Sequence, residues 1–228
     1  MKKAYLLSAF TFIILFIGGC WLMSEKDISE MDPKDLPNVT AFQDDFTREF
    51  MTSTEEVDDG YYLFESKTGG YTMWYPEDAV MNKGYFERTK DTYERVSFGR
   101  EANKDKSNIP YYVVATYDHF HKGKESERLL NLLSKYVNYD GEYEEFTHNT
   151  NTIFLAKSKS TTRNQKVTWY EFFGLVKANS SNQSLRYIYS VECKKQSDDC
   201  SYDFDAIEQK VREIMKSVEF KDVELEEG

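Results

Sequence analysis

The chain of 228 residues carries 29 lysines and arginines against 40 aspartates and glutamates, a formal charge of −11, and is 40% apolar and 16% aromatic. That apolar and aromatic content suffices for a packed core and excludes general disorder, while the acidic balance excludes a nucleic-acid partner, because nothing draws in a polyanion. Four prolines and 11 glycines exclude collagen-like or low-complexity architecture.

The first residues read as an address. Lys2 and Lys3 give a positive start, and Ala4 to Ile17 is an uncharged apolar stretch, short for a membrane span and of the length of a signal h-region. It ends Phe16-Ile17-Gly18-Gly19-Cys20. Small residues just before a cysteine, at the end of an h-region, resemble the lipobox of bacterial lipoprotein signal peptides. Gly18 stands where Ala or Ser is commoner, and Ile17 where Leu is. The resemblance implies removal of residues 1–19 by cleavage between Gly19 and Cys20, diacylglycerol and palmitate on Cys20, and a chain anchored by lipid to the extracytoplasmic face of the cell membrane. The alternatives are an uncleaved anchor helix and ordinary signal cleavage with Cys20 unmodified. Loss of Lys2 and Lys3 leaves the mature chain more acidic still. Such a body is repelled by an anionic surface and is expected to stand off the membrane.

Residues 20–40, with Pro33, Pro37 and little apolar pattern, read as a flexible tether. Phe42, Phe46 and Phe50 recur at helical spacing and predict a helix over roughly 40–52. From Gly60 the pattern is that of strands: 61–66 and 71–75 flank Lys67-Thr68-Gly69-Gly70, a hairpin signal with glycines where positive φ is needed. Strands are expected at 93–99, 109–117, 152–158, 166–177 and 184–192. Helices are expected at 125–137 and at 204–216, the latter with Asp203 as N-cap and Ile207, Val211, Ile214 and Met215 inward. Residues 222–228 form an acidic, frayed tail. The expected fold class is α+β, a mainly antiparallel sheet of about six or seven strands with helices packed on its faces, in one domain over 41–221.

Two stretches carry a further likeness. Gly69-Gly70-Tyr71-Thr72-Met73-Trp74-Tyr75-Pro76 and the closing helix Ile207 to Lys216, running into Ser217-Val218-Glu219-Phe220, resemble the PsbP-like lipoproteins and extrinsic photosystem proteins. The resemblance implies an antiparallel sheet between helices and an accessory or assembly role with no shared catalytic site, so no functional residue carries over. The chain as a whole resembles Firmicutes-type surface lipoproteins.

Chemistry-bearing clusters are few. His119 and His121 in Asp118-His119-Phe120-His121 would share one face of a strand at ligand spacing, or stand solvated in a polar connection; no metal and no cofactor is expected. Cys193 and Cys200 are left once Cys20 takes lipid, and a structural disulfide is expected in an oxidising compartment, with free thiols or a redox pair as alternatives; the spacing is not Cys-x-x-Cys. Asp140, Glu142, Glu144 and Glu145 form an acidic run beside Tyr139 and Tyr143, read as a solvated loop, with glycoside hydrolysis or weak calcium binding as alternatives. G-x-S-x-G, H-E-x-x-H, phosphate-loop and G-x-G-x-x-G motifs are absent from the sequence. The aromatic pairs Tyr61-Tyr62, Trp74-Tyr75 and Tyr111-Tyr112, and the run Trp169-Tyr170-Glu171-Phe172-Phe173, are placed to bury one ring and show the next. The function expected is a non-enzymatic, lipid-anchored binding or accessory protein of the cell envelope, with an envelope protein or glycan as partner and surface, colony or biofilm behaviour as its context. A polysaccharide or cell-wall hydrolase and a solute or metal receptor are the alternatives.

Overall fold

The structure, a computed structural model, describes residues 27–101, 109–119, 126–164, 166–194 and 202–223. Among these are twelve strands: β1 Met51–Asp58, β2 Tyr61–Glu65, β3 Tyr71–Pro76, β4 Val80–Met81, β5 Glu87–Thr89, β6 Tyr93–Arg100, β7 Tyr111–His119, β8 Glu144–His148, β9 Asn151–Thr161, β10 Val167–Ala178, β11 Gln183–Lys194 and β12 Glu219–Phe220. Four α-helices accompany them: α1 Thr40–Gln43, α2 Asp45–Arg48, α3 Ser126–Val137 and α4 Phe204–Lys216. The strands form two antiparallel sheets, a small one in the order β1-β2-β3-β12 and a large one in the order β4-β6-β7-β11-β10-β9-β8, with β5 also on β6. The α+β class is as expected, whereas the strands number more than the six or seven anticipated and divide into two sheets.

Alternation along the long strands gives the large sheet two buried faces. Tyr187 and Tyr189 of β11 and Phe172 of β10 join one core cluster, while the intervening Ile188 and the adjacent Phe173 join another. On the first face sits the small sheet, whose Tyr62, Phe64, Tyr71, Met73 and Tyr75 point inward. The ring of Tyr75 meets Phe98 at 4.7 Å and that of Tyr71 stacks on Tyr117 at 5.3 Å. Helix α4 adds Ile207, Val211, Ile214 and Met215 to the same core. On the second face Leu133 and Val137 of α3 cover Ala156, Phe173 and Ile188, flanked by Tyr139 and Tyr143. Helix α4 buries the stripe that its spacing predicts, whereas of the broad apolar face expected on α3, Leu129, Leu130, Leu132, Leu133, Tyr136 and Val137, the sheet covers Leu129, Leu133 and Val137 and leaves Leu132 and Tyr136 exposed. The side chain of Asp203 accepts from the Ala206 N–H at 3.0 Å, as its N-cap role requires.

Three expectations are corrected. The helix foreseen over 40–52 is two single turns, because Asp44 stays extended (φ −99°, ψ 121°) and caps the second turn, accepting from the Thr47 N–H at 2.8 Å. Phe42 and Phe50 are nonetheless buried. The tether foreseen through residue 40 is packed from Asp27 onward. Its two 3-10 turns, Ile28–Glu30 and Pro33–Asp35, are capped by the Asp27 and Asp32 side chains, and Ile28 and Leu36 join the core. In the hairpin only Gly69 has positive φ, 68°. Gly70 is needed for closeness: a Cβ there would lie 2.3 Å from the Tyr117 hydroxyl.

The two stretches behind the PsbP-like resemblance, 143 residues apart at one contact, are neighbours in space: the Trp74 N–H donates to Ser217 Oγ at 2.9 Å, and β12 pairs with β3 through Glu219–Thr72 and Phe220–Tyr71. Buried Gln183 ties this seam to the large sheet. Its amide donates to the Gly70 and Lys221 carbonyls at 3.1 and 2.7 Å and to the Tyr117 hydroxyl at 3.1 Å.

Candidate functional site

The aromatic pairs behave as strand geometry demands. Tyr62 and Tyr75 are buried, while their neighbours Tyr61 and Trp74 are half-buried; Tyr111 is buried and Tyr112 exposed. In the run on β10, however, Phe172 and Phe173 are both buried, one in each core.

Two of these aromatics converge on a lysine that the sequence pattern did not single out. Lys210, on α4, holds its ammonium 5.0 Å from the centre of the Tyr111 ring and 5.8 Å from that of Tyr61. Trp74 lies against Tyr61 at 5.5 Å, and Tyr111 stacks on Tyr189 at 4.8 Å. Beside them the Tyr111 hydroxyl donates to Asp78 Oδ1 at 2.5 Å. Arg100 ion-pairs with the other Asp78 oxygen, donates to the Ile109 carbonyl and faces the Tyr111 ring at 5.4 Å. The rim, Tyr61, Trp74, Asp78, Arg100 and Lys210, is half-exposed, whereas the floor, Tyr111 and Tyr189, is buried.

Burial holds the Lys210 ammonium below its ordinary pKa; Arg100 adds to this, and Asp78 and Glu77 oppose it. Tyr61 is pushed up to about 12, first by burial and then by Asp78, Asp58 and Glu213. Burial also drives Tyr111 and Tyr189 upward, so the phenols stay neutral near pH 7. Among the described residues no carboxylate lies within ion-pair distance of Lys210; two ring faces take that place. A partly desolvated cation beside half-exposed rings suits hydrogen bonding and stacking on a ligand. Lys210 carried a legible signal: it lies three residues after Ile207 and four before Ile214, on the buried stripe of α4.

The other sequence candidates are placed as follows. His119 ends β7, its N–H donating to the Thr92 carbonyl at 2.8 Å, and its intended companion His121 lies outside the described residues. Among the described residues no group of three His, Cys, Asp or Glu could hold a metal ion. Cys193 is buried near the end of β11 and is disulfide-bonded; Cys200, Gly19 and Cys20 lie outside the described residues. Asp140, Glu142 and Glu145 are exposed, and Glu144 on the edge strand β8 takes a two-point hydrogen bond from Arg212 at 3.0 and 2.5 Å, which lowers its pKa. Pairing of Cys193 with Cys200 would tie β11 to α4. Reduction of the purified protein is then expected to cost about 2–3 kcal/mol, read as a fall in melting temperature; an unchanged melt together with two titratable thiols in the native protein excludes the bridge.

The fold is thus an α+β domain of two antiparallel sheets with one aromatic and cationic cluster between them and the closing helix. The chain belongs to the family described as "Putative lipoprotein YvcA", which matches residues 37–219. It is 32% identical, over 242 aligned residues, to the protein of that same description from Bacillus subtilis (strain 168), covering 96% of this chain and 97% of the relative. Among solved structures it is similar to the Ran-binding protein Mog1p of Saccharomyces cerevisiae, at 12% identity and TM-score 0.43 over 70% of this chain and 94% of that one. It is also similar to LpqN of Mycobacterium tuberculosis, described as involved in cell envelope biogenesis, at 6% identity and TM-score 0.39 over 71% and 91%.

Proposed function

We propose that this chain is a lipid-anchored, extracytoplasmic binding or accessory protein of the bacterial envelope. Diacylglyceryl Cys20 is the first residue of the mature form, and the cluster around Lys210 is the surface that meets an envelope protein or glycan. Membership of a lipoprotein family and the Gly18-Gly19-Cys20 sequence support the anchor. The observation that carries the binding role is the Lys210 ammonium held between the Tyr61 and Tyr111 rings at a half-exposed rim that also presents Trp74. Its biological context is surface behaviour such as colony or biofilm formation. The PsbP-like likeness, carried by two segments that pair in space, fits an accessory role. Hydrolysis through the Asp140–Glu145 run has less behind it, since Glu144 is engaged by Arg212.

The test is crosslinking on intact cells at native expression, followed by mass spectrometry of what stays attached. A dominant partner is expected, lost with Cys20→Ser and reduced about tenfold with Lys210→Met, the cost of about 1–2 kcal/mol expected for a desolvated cation–aromatic contact. Lys210→Met keeps the apolar stem, and an unchanged melt shows that the fold survives. Retention of the partner by Lys210→Met removes this cluster as the contact. Incorporation of labelled palmitate into Cys20→Ser removes the lipid assignment.

A further inference from the structure

The packed start of the chain brings the body close to whatever holds Cys20. Seven peptide links separate Cys20 from Asp27, a reach of at most about 25 Å, because Ile28 and Leu36 are already part of the core. With Cys20 anchored as proposed above, the surface around Asp27 is the part of the body whose distance from the bilayer this reach limits. Asp27 lies within the field of Lys67, which lowers its pKa after its own hydrogen bonds with Ser29. The Lys67 ammonium sits 3.8 Å from a Glu49 oxygen and over the Phe50 ring at 4.9 Å.

Next to Lys67 is a segment of different character from the rest of the chain. Arg88 donates to the Lys67 carbonyl at 2.5 Å. Phe86 packs on Phe46 and Phe50 at 5.7 and 5.5 Å, and Lys83 lies over Phe46 at 5.3 Å. Residues 82–90, Asn-Lys-Gly-Tyr-Phe-Glu-Arg-Thr-Lys, hold three cations and one carboxylate in a chain whose net charge is −11. Lys83, Arg88 and Lys90 are exposed, and Tyr85 between them is 58% exposed. Phe86, partly buried against Phe46 and the buried Phe50, thus anchors a segment that holds a tyrosine and three cations outward, the residue types that settle at a lipid headgroup layer.

We infer that the face presenting Lys83, Tyr85, Arg88 and Lys90 rests on anionic lipid headgroups, orienting the body rather than leaving it free on a tether. The inference rests on the Cys20 anchor proposed above. It revises the expectation from net charge, because within one Debye length of this face the three cations of residues 82–90 stand against the single carboxylate of Glu87, and the nearby Glu49 is paired with Lys67.

The experiment uses the full lipidated chain in vesicles of phosphatidylcholine with phosphatidylglycerol, in phosphatidylcholine alone and in detergent. Brief amine acetylation is read by mass spectrometry at Lys83 and Lys90, with exposed Lys135 on α3 and Lys159 on β9 as references. In floated anionic vesicles Lys83 and Lys90 are expected to react about fivefold more slowly relative to the references, the factor that one cation near an anionic surface contributes. The protection is expected to fall away in phosphatidylcholine, and with Lys83→Glu, Arg88→Glu and Lys90→Glu combined, while that variant still floats. Equal reactivity of all four lysines in chains that float overturns the orientation and leaves the anchor standing. Chains that fail to float with the vesicles overturn the anchor and this inference together.

Discussion

Gly174→Ala is expected to lower the melting temperature by about 10 °C, the largest effect of any single-methyl change foreseen here. Gly174 sits in the middle of β10, paired with Leu155 of β9 on one side and Tyr187 of β11 on the other. A Cβ at this position would lie 2.1 Å from the Phe154 carbonyl oxygen and 2.5 Å from Met215 Cε. The methionine tip can swing, but the carbonyl belongs to the adjacent strand and cannot move without opening the ladder. Overpacking of this kind costs about 3 kcal/mol, which for a domain of this length is about 10 °C. Gly84→Ala is the control. Its new Cβ meets only Asn82 Oδ1, at 3.4 Å, and the melt is expected to stay within about 0.5 kcal/mol of the parent. A Gly174→Ala variant that melts with the parent would show that the β9–β10 ladder gives way at Phe154 without loss.

Glu94→Gln is expected to remove a pH-dependent loss of stability of about 3 kcal/mol between pH 4.5 and pH 8. Glu94 is fully buried on β6 beneath the Ser66–Gly70 hairpin, where it accepts from the Lys67 N–H at 2.7 Å. Burial raises its carboxyl from 4.5 to about 7; hydrogen bonds from the Lys67 and Thr68 backbone and the charges of Arg88 and Lys67 pull the other way without prevailing. Tyr71 and Tyr117, from β3 and β7, face the same group, and its charge raises both of their pKa values. Because the folded pKa lies above the unfolded one, the protonated acid favours the fold. That contribution is fully present below about pH 4.5 and is lost as the pH rises through about 7. The separation of the two values corresponds to about 3 kcal/mol. Glutamine keeps the oxygen that accepts from Lys67 and cannot ionise. Measured by denaturation across pH, the difference between parent and variant should therefore swing in favour of the variant from pH 4.5 to pH 8. A difference that stays constant over that range would place the Glu94 pKa in the ordinary carboxylate range.

These effects depend on contacts that local pattern does not encode. The seven strands expected are all present, since each carries its own alternation or apolar run. Five others, β1, β4, β5, β8 and β12, were not foreseen. Four of them are edges of a sheet, and β5 pairs only with β6. Such strands are straightened by a neighbour's hydrogen bonds on one side and need no apolar alternation. β8 begins at Glu144, inside an acidic run whose composition is that of a solvated loop, and β1 is exposed from Thr54 to Asp58. Asp44 shows the limit in the other direction. Phenylalanines at helical spacing say which residues are buried, whereas a capping side chain decides that the helix restarts between them.

The aromatic pairs were legible as half-wet positions, but not their meeting place. Tyr61, Tyr111 and Lys210 belong to β2, β7 and α4, and only the stacking of the small sheet and α4 on one face of the large sheet brings them together. The same holds for Asp27 and Arg88, which share Lys67 as a neighbour across some 60 residues of chain.

The sequence by itself determined the acidic α+β domain, the two long amphipathic helices with the inward face of α4, the central strands and the cysteine that follows an apolar stretch. All of these follow from periodicity or from a motif within about 20 residues. Tertiary structure alone decided the division into two sheets, the packing of residues 27–36, the ionisation cost at Glu94 and the cation held between tyrosine rings. Each of those is a free energy of burial or charge that exists only once segments distant in the chain exclude water from the same place.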